Sequence, residues 1–100
     1  MSPFEAIADP NRRRILDLLR GGEQPAGDLV RVMGMSQPGL SKHLKALREA
    51  GLVSMRPDGQ RRLYRLEPHQ LGALDAWLQP FRAFWSERLD ALDDHLNKEQ

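Results

Sequence analysis

Ser36-Gln37-Pro38-Gly39-Leu40-Ser41-Lys42-His43-Leu44-Lys45-Ala46-Leu47-Arg48-Glu49-Ala50-Gly51-Leu52 carries both the start and the stop signals of one short helix. Ser36 can cap its backbone N–H groups, and Pro38 is tolerated in the first turn, where no helical N–H is lost. Gly51 supplies the left-handed residue that follows a helix end. Leu40, Leu44 and Leu47 recur at spacings of four and three, which predicts one buried face. With those leucines inward, Pro38, Ser41, Lys42 and Lys45 face outward, with Glu49 further along. Gln37 lies at the start, beside backbone N–H groups that favour phosphate.

Upstream, Leu29, Val30 and Met33 mark another short helix that Gly34 ends, so two helices meet across a tight turn. Before them, Ser2-Pro3-Phe4-Glu5 and Asp9-Pro10 each read as a cap followed by a proline at the first helical position. Ile15, Leu18 and Leu19 predict the buried stripe of the second of these helices, which Gly21-Gly22 stops. Downstream, residues 52–56 and 61–66 read as two short strands around the turn-forming Pro57-Asp58-Gly59-Gln60. Tyr64 and Leu66 alternate there with Arg61, Leu63 and Arg65, so one hairpin face is expected to pack inward while the other carries cations.

The last third is helical in pattern. Leu71, Leu74, Leu78, Phe81, Trp85, Leu89, Leu92 and Leu96 step by three or four, and Trp77 and Phe84 widen the stripe. Pro80 interrupts it and predicts a short helix near residues 68–75, followed by a long one reaching about residue 96. The expected fold is mainly α with a small β-hairpin, and residues 1–100 are expected to form one domain.

Helix, tight turn, helix and basic hairpin follow one another in the order of a winged helix-turn-helix. In such motifs the second helix enters the major groove of DNA. Residues 36–66 carry Lys42, Lys45, Arg48, Arg56, Arg61, Arg62 and Arg65 against only Glu49 and Asp58. Residues 67–100 are net acidic, so the polyanion-facing surface is expected in the middle of the chain. Gln37 can pair with adenine, Lys42 can read guanine, and Ser41 can serve base or phosphate. Pro38 offers an apolar surface to a thymine methyl group, while Lys45 and Arg48 suit phosphate. His43, at the edge of the inward face, suits either a positioning role or a phosphate contact. Arg61 and Arg62 at the hairpin tip can lie along phosphates or enter a narrow minor groove. The candidate DNA-binding set is therefore Ser36, Gln37, Pro38, Ser41, Lys42, His43, Lys45, Arg61 and Arg62.

The segment from Ser36 to Val53 resembles the recognition segment of ArsR-type repressors. Ala8-Asp9-Pro10-Asn11-Arg12-Arg13-Arg14-Ile15-Leu16 is similar to that family's first-helix motif, and Gly59-Gln60-Arg61-Arg62-Leu63-Tyr64-Arg65-Leu66 to its wing. The resemblance runs from about Phe4 to Leu96. It implies a homodimer, paired through its first and last helices, that represses promoters by occupying palindromic operators on double-stranded DNA. Two departures bear on metals. Where metal-sensing members carry paired cysteines, this chain reads Gln24-Pro25-Ala26-Gly27-Asp28-Leu29, and it has no cysteine at all. Near the C-terminus only Asp93, Asp94 and His95 are present, without the second histidine of the family's other metal site, and His69 has no companion in sequence. No metal site and no cofactor are expected.

A helix of roughly 20 residues is about 30 Å long, more than a small domain can cover. Phe4, Ile7, Trp77, Phe81, Phe84, Trp85, Leu89 and Leu92 are therefore expected to bury against a second copy. A small apolar effector between these helices is a further expectation, with nothing in the sequence to name it. The chain lacks a membrane-length apolar run and a secretory start, and its lack of cysteine suits a cytoplasmic protein. No triad, phosphate-loop or metal-ligand spacing suggests an enzyme. The alternative reading is a winged-helix protein-interaction module without DNA binding.

Overall fold

Asp9 opens the longer of the two proline-started helices by accepting from the backbone N–H groups of Asn11 (2.8 Å) and Arg12 (3.2 Å). Pro10 then begins α2 (Pro10–Leu19). Ser2 does the same for α1 (Pro3–Ala6), accepting from Glu5 at 3.2 Å. The computed structural model describes residues 1–98, so the last two residues of the expected 1–100 domain lie outside it.

The two helices are held together by the arginine run of α2. Arg12 donates to the carbonyls of Ala6 (2.7 Å) and Glu5 (3.2 Å), and Arg13 to those of Ile7 (2.8 Å) and Ala8 (3.2 Å). The Ala6 and Ile7 carbonyls lie at the end of α1, where no further helical N–H follows, while Glu5 also accepts from the Ala8 N–H at 3.2 Å. Arg14 reaches Val32 in the next helix at 3.2 Å.

A helix pair follows as the leucine and glycine pattern predicts. In α3 (Ala26–Met33), Gly34 closes the C-terminus in the left-handed region at φ 65°. In α4 (Gln37–Glu49), Ser36 accepts from Gly39 at 3.2 Å. Beyond α4, Gly51 sits at φ 74°, with Leu52 donating to Leu47 and Gly51 to Arg48, both at 3.0 Å. That pair of bonds is the Schellman closure of a helix end.

The sheet has three strands where the sequence predicted two. β2 (Val53–Asp58) and β3 (Arg61–Leu66) form the hairpin, and β1 (Gln24–Pro25) pairs with the other side of β3, giving the order β1-β3-β2. Pro57 and Asp58 belong to β2 rather than to the turn, and Asp58 is in register with Arg61. The turn is thus Gly59-Gln60 alone, with positive φ at Gly59 only. That is the pattern of a II′ hairpin, whose first central position requires glycine. Pro25 and Pro57 both lie on edge strands, where no ladder donor is lost on the sheet side.

Ile15, Leu19, Leu29, Met33, Leu40, Leu44, Leu47, Leu52, Val53, Tyr64 and Leu74 meet in one core cluster. Leu18 only packs against it, half-buried. Leu63 is also buried, although it lies on the cation-bearing face and outside that cluster. Pro25 and Arg56 are its register partners on either side, so the third strand provides the cover that a bare hairpin would lack.

The C-terminal third is one helix, α5 (Pro68–Lys98), rather than two. Pro80 lies inside it and costs one main-chain bond, to the Ala76 carbonyl. Both residues are exposed, where that loss is least expensive. At 31 residues α5 is about 46 Å long, and it stretches the molecule to 62 × 25 × 21 Å.

Candidate nucleic-acid interface

Leu40, Leu44, Ala46 and Leu47 are buried, which turns the opposite side of α4 outward. Gln37, Ser41, Lys45 and Arg48 follow at spacings of four, four and three, so they share one exposed stripe. Pro38 and Lys42 adjoin it, also exposed, as is Ser36, whose hydroxyl is engaged as the helix cap.

The hairpin runs beside this stripe. A cleft of about 580 Å³ is lined by Gln37 and Ser41 from α4, by Gln60, Arg61 and Arg62 from the hairpin tip, and by the first turn of α3. A second cleft, of about 510 Å³, joins Lys45 and Arg48 to Val53, Ser54 and Met55 at the start of β2. Five of the nine candidate residues therefore line clefts shared by α4 and the wing.

His43 stands apart. It is half-buried on the other side of α4, close enough to α2 for its charge to act on the Asp9 carboxylate. Partial desolvation pushes the Asp9 pKa up. The N–H groups of Arg12 and Asn11, followed by His43 and the Arg12 charge, outweigh that and hold it below the usual range. This placement supports the positioning role for His43.

The cations are not equally available. Arg56 is bound by Glu23 through both arms of its guanidinium, at 2.9 and 2.8 Å. Arg65 contacts Glu67 and Ser54, each at 3.1 Å, while Ser54 donates to Glu67 at 2.5 Å. Arg61 reaches Asp58 at 2.6 Å. Hydrogen bonds from these partners hold the Glu23, Asp58 and Glu67 carboxyls below their ordinary pKa. Glu23 and Glu67 lie outside residues 36–66, so a charge count over that window overstates the free positive surface. Among the described residues, Lys42, Lys45, Arg48 and Arg62 have no carboxylate within 4.0 Å.

The apolar residues expected at a second copy lie in two groups. Phe4, Trp77 and Phe81 form a row across α1 and α5, with ring centroids 5.5 Å apart for Phe4–Trp77 and 4.7 Å for Trp77–Phe81. Ile7 packs partly into the core. Further along α5, Phe84, Trp85, Leu89 and Leu92 are all exposed, and Leu89 retains 58% of its accessible surface. Arg88 stacks over Phe84 at 4.8 Å. No His, Cys, Asp and Glu cluster of three or more occurs among the described residues. An open apolar groove of about 410 Å³ lies away from the stripe, lined by Leu16, Leu66 and Leu71 together with Arg13, Asp17 and Arg20. No helix among the described residues is long and apolar enough to cross a membrane.

The signature of the bacterial regulatory protein arsR family matches residues 9–55. The chain is 42% identical over 86 residues to the HTH-type transcriptional regulator Rv2034 of Mycobacterium tuberculosis, covering 86% of this chain and 78% of that protein. It belongs to the ArsR family of transcriptional regulators. A second relative, the transcriptional repressor SdpR of Bacillus subtilis, is 41% identical over 78% of this chain and 87% of its own length. The solution structure of a homodimeric winged helix-turn-helix DNA-binding domain from Mycobacterium bovis superposes with a TM-score of 0.65. It is 34% identical and covers 79% of this chain and 73% of that one. Within this ArsR fold α3 and α4 are the helix-turn-helix, and β2 and β3 are the wing.

Proposed function

We propose that this ArsR-family regulator is a homodimeric repressor that binds an inverted-repeat operator, with α4 in the major groove and the wing tip on the neighbouring backbone. The carrying observation is the shared cleft: Gln37 and Ser41 from α4 and Arg61 and Arg62 from the wing line it together, so one duplex can meet both. Lys42 and Gln37 read bases, and Lys45, Arg48 and Arg62 neutralise phosphates. Pro38 contacts a thymine methyl group, while Ser36 and His43 set the position of the helix. Uncommitted cations beside the groove-entering helix favour DNA over a protein partner for this surface.

Residues 1–100 act as one domain, with Phe4, Ile7, Trp77, Phe81, Phe84, Trp85, Leu89 and Leu92 forming the dimer contact. The homodimeric Mycobacterium bovis domain supports a dimer, and the repressor SdpR supports the sign of regulation. Two-fold symmetry then sets two copies of α4 about 34 Å apart, in successive major grooves. The protein works in the cytoplasm without catalytic activity, metal or cofactor, and an apolar small molecule is the class of effector its surface would accept.

Selection from random duplex DNA, followed by footprinting, tests the reading. The expected result is an inverted repeat protected in two half-sites one helical turn apart. Failure to retain any duplex at low salt would overturn it.

A further inference from the structure

At the wing tip, two neighbouring arginines stand in different states. Arg62 pairs in register with Pro57, which offers no charge, and has no carboxylate within reach among the described residues. Arg61 closes the turn opposite Asp58, and its Nη2 donates to Asp58 Oδ2 at 2.6 Å. Both line the cleft that also holds Gln37 and Ser41. The tip therefore presents one available cation and one that must leave a carboxylate before it can touch DNA.

We propose that Asp58 withholds Arg61 from ordinary duplex and yields it only to a narrow, A·T-rich minor groove, so that Arg61 contributes on the operator alone. This rests on the reading of the chain as a DNA-binding regulator. An exposed arginine gains about as much from a carboxylate as from a single phosphate, since both contacts are charge-assisted and screened by salt. Exchanging one for the other yields little on random DNA, and the released Asp58 carboxylate is left facing phosphates. A narrow minor groove offers a guanidinium a deeper negative potential than one phosphate does. Only there does the exchange become favourable. Asp58 thus costs affinity on both: on the operator the strength of the broken pair, and on other DNA the phosphate contact that Arg61 does not make.

The experiment is a salt series of anisotropy titrations on two duplexes of equal length, the selected inverted repeat and a scrambled G·C-rich control. Wild type is compared with Asp58→Asn, Asp58→Ser, Arg61→Ala and the Asp58→Asn/Arg61→Ala double variant. Both single Asp58 variants are expected to tighten binding to both duplexes about three- to tenfold and to steepen the salt dependence of the control by up to one ion, while Arg61→Ala alone weakens only the operator complex. In the Arg61→Ala background the gain should vanish. An Arg61→Ala variant that weakens both duplexes alike overturns the proposal. So does an equal gain without Arg61, which would mark a long-range charge effect. Wild type that binds neither duplex defeats the regulator reading itself, whereas wild-type binding with an equal loss on both duplexes in Arg61→Ala defeats only the role of Asp58.

Discussion

The Arg56 guanidinium grips the Glu23 carboxylate with both arms, Nε at 2.9 Å and Nη2 at 2.8 Å, tying β2 of the wing to the residue just ahead of β1. The pair fastens the wing to the helix-turn-helix side of the molecule and takes Arg56 out of the pool of free cations. Each phosphate neutralised by a cation contributes roughly 0.9 to the slope of log affinity against log salt. Arg62→Ala should lower that slope by about one on any duplex. Arg56→Ala should leave the slope nearly unchanged while weakening binding through a looser wing. Salt-dependent binding curves for the two variants check this, and equal loss of slope would mean that Arg56 leaves Glu23 for DNA.

Lys42 and Arg48 test a different division, between reading and holding. Lys42 adjoins the stripe near the start of α4, where recognition helices meet base edges, whereas Arg48 lies a turn and a half further on, beside β2. Lys42→Ala is expected to cost about 1–3 kcal/mol on the operator and to relax preference at one base pair. Arg48→Ala should weaken all sequences alike. Competition binding against single-base operator variants separates them. A uniform loss for Lys42→Ala would assign that side chain to phosphate.

The exposed half of α5 predicts how association fails. Leu89 and Leu92 are exposed in the single chain, so charging them leaves the core untouched. Burying a leucine is worth about 1.5–3 kcal/mol, and a two-fold interface contains each residue twice. Leu89→Glu/Leu92→Glu should therefore raise the dimer dissociation constant by at least about 100-fold while the melting curve stays cooperative. Sedimentation equilibrium and circular dichroism give the two readings. A dimer of unchanged strength would move the interface off this half of the helix.

Much of this was readable because caps and stops are local. Ser2, Asp9, Ser36, Gly34 and Gly51 each act on backbone within a few residues, and the structure uses all five as their chemistry predicts. The α4 face was legible for a similar reason, since three leucines at helical spacing define it. What escaped depends on partners distant in sequence. Gln24–Pro25 is too short to show alternation and is a strand only by virtue of Tyr64 and Leu63. Leu63 looked exposed because its cover comes from that strand. Arg56 looked free because Glu23 lies 33 residues earlier. Pro80 misled differently: proline disfavours a helix interior locally, yet its neighbours on both sides propagate the helix, and an exposed site tolerates the lost bond.

Acid should loosen the protein through the carboxylates that fasten it. Asp9, Glu23, Asp58 and Glu67 all have pKa values held below those of the unfolded chain. A group depressed in this way contributes stability that is fully present above its unfolded pKa, roughly pH 4, and is lost as pH falls through the folded value. The melting temperature should accordingly be level from about pH 7 to 5 and decline below that. Asp9 is the one of the four that caps a helix, so Asp9→Ala should cost about 0.5–2 kcal/mol at pH 7 and flatten the acid limb. Thermal melts of Asp9→Ala and wild type across the acid range check this, and an acid limb as steep as that of wild type would mean that the Asp9 cap carries none of the pH dependence.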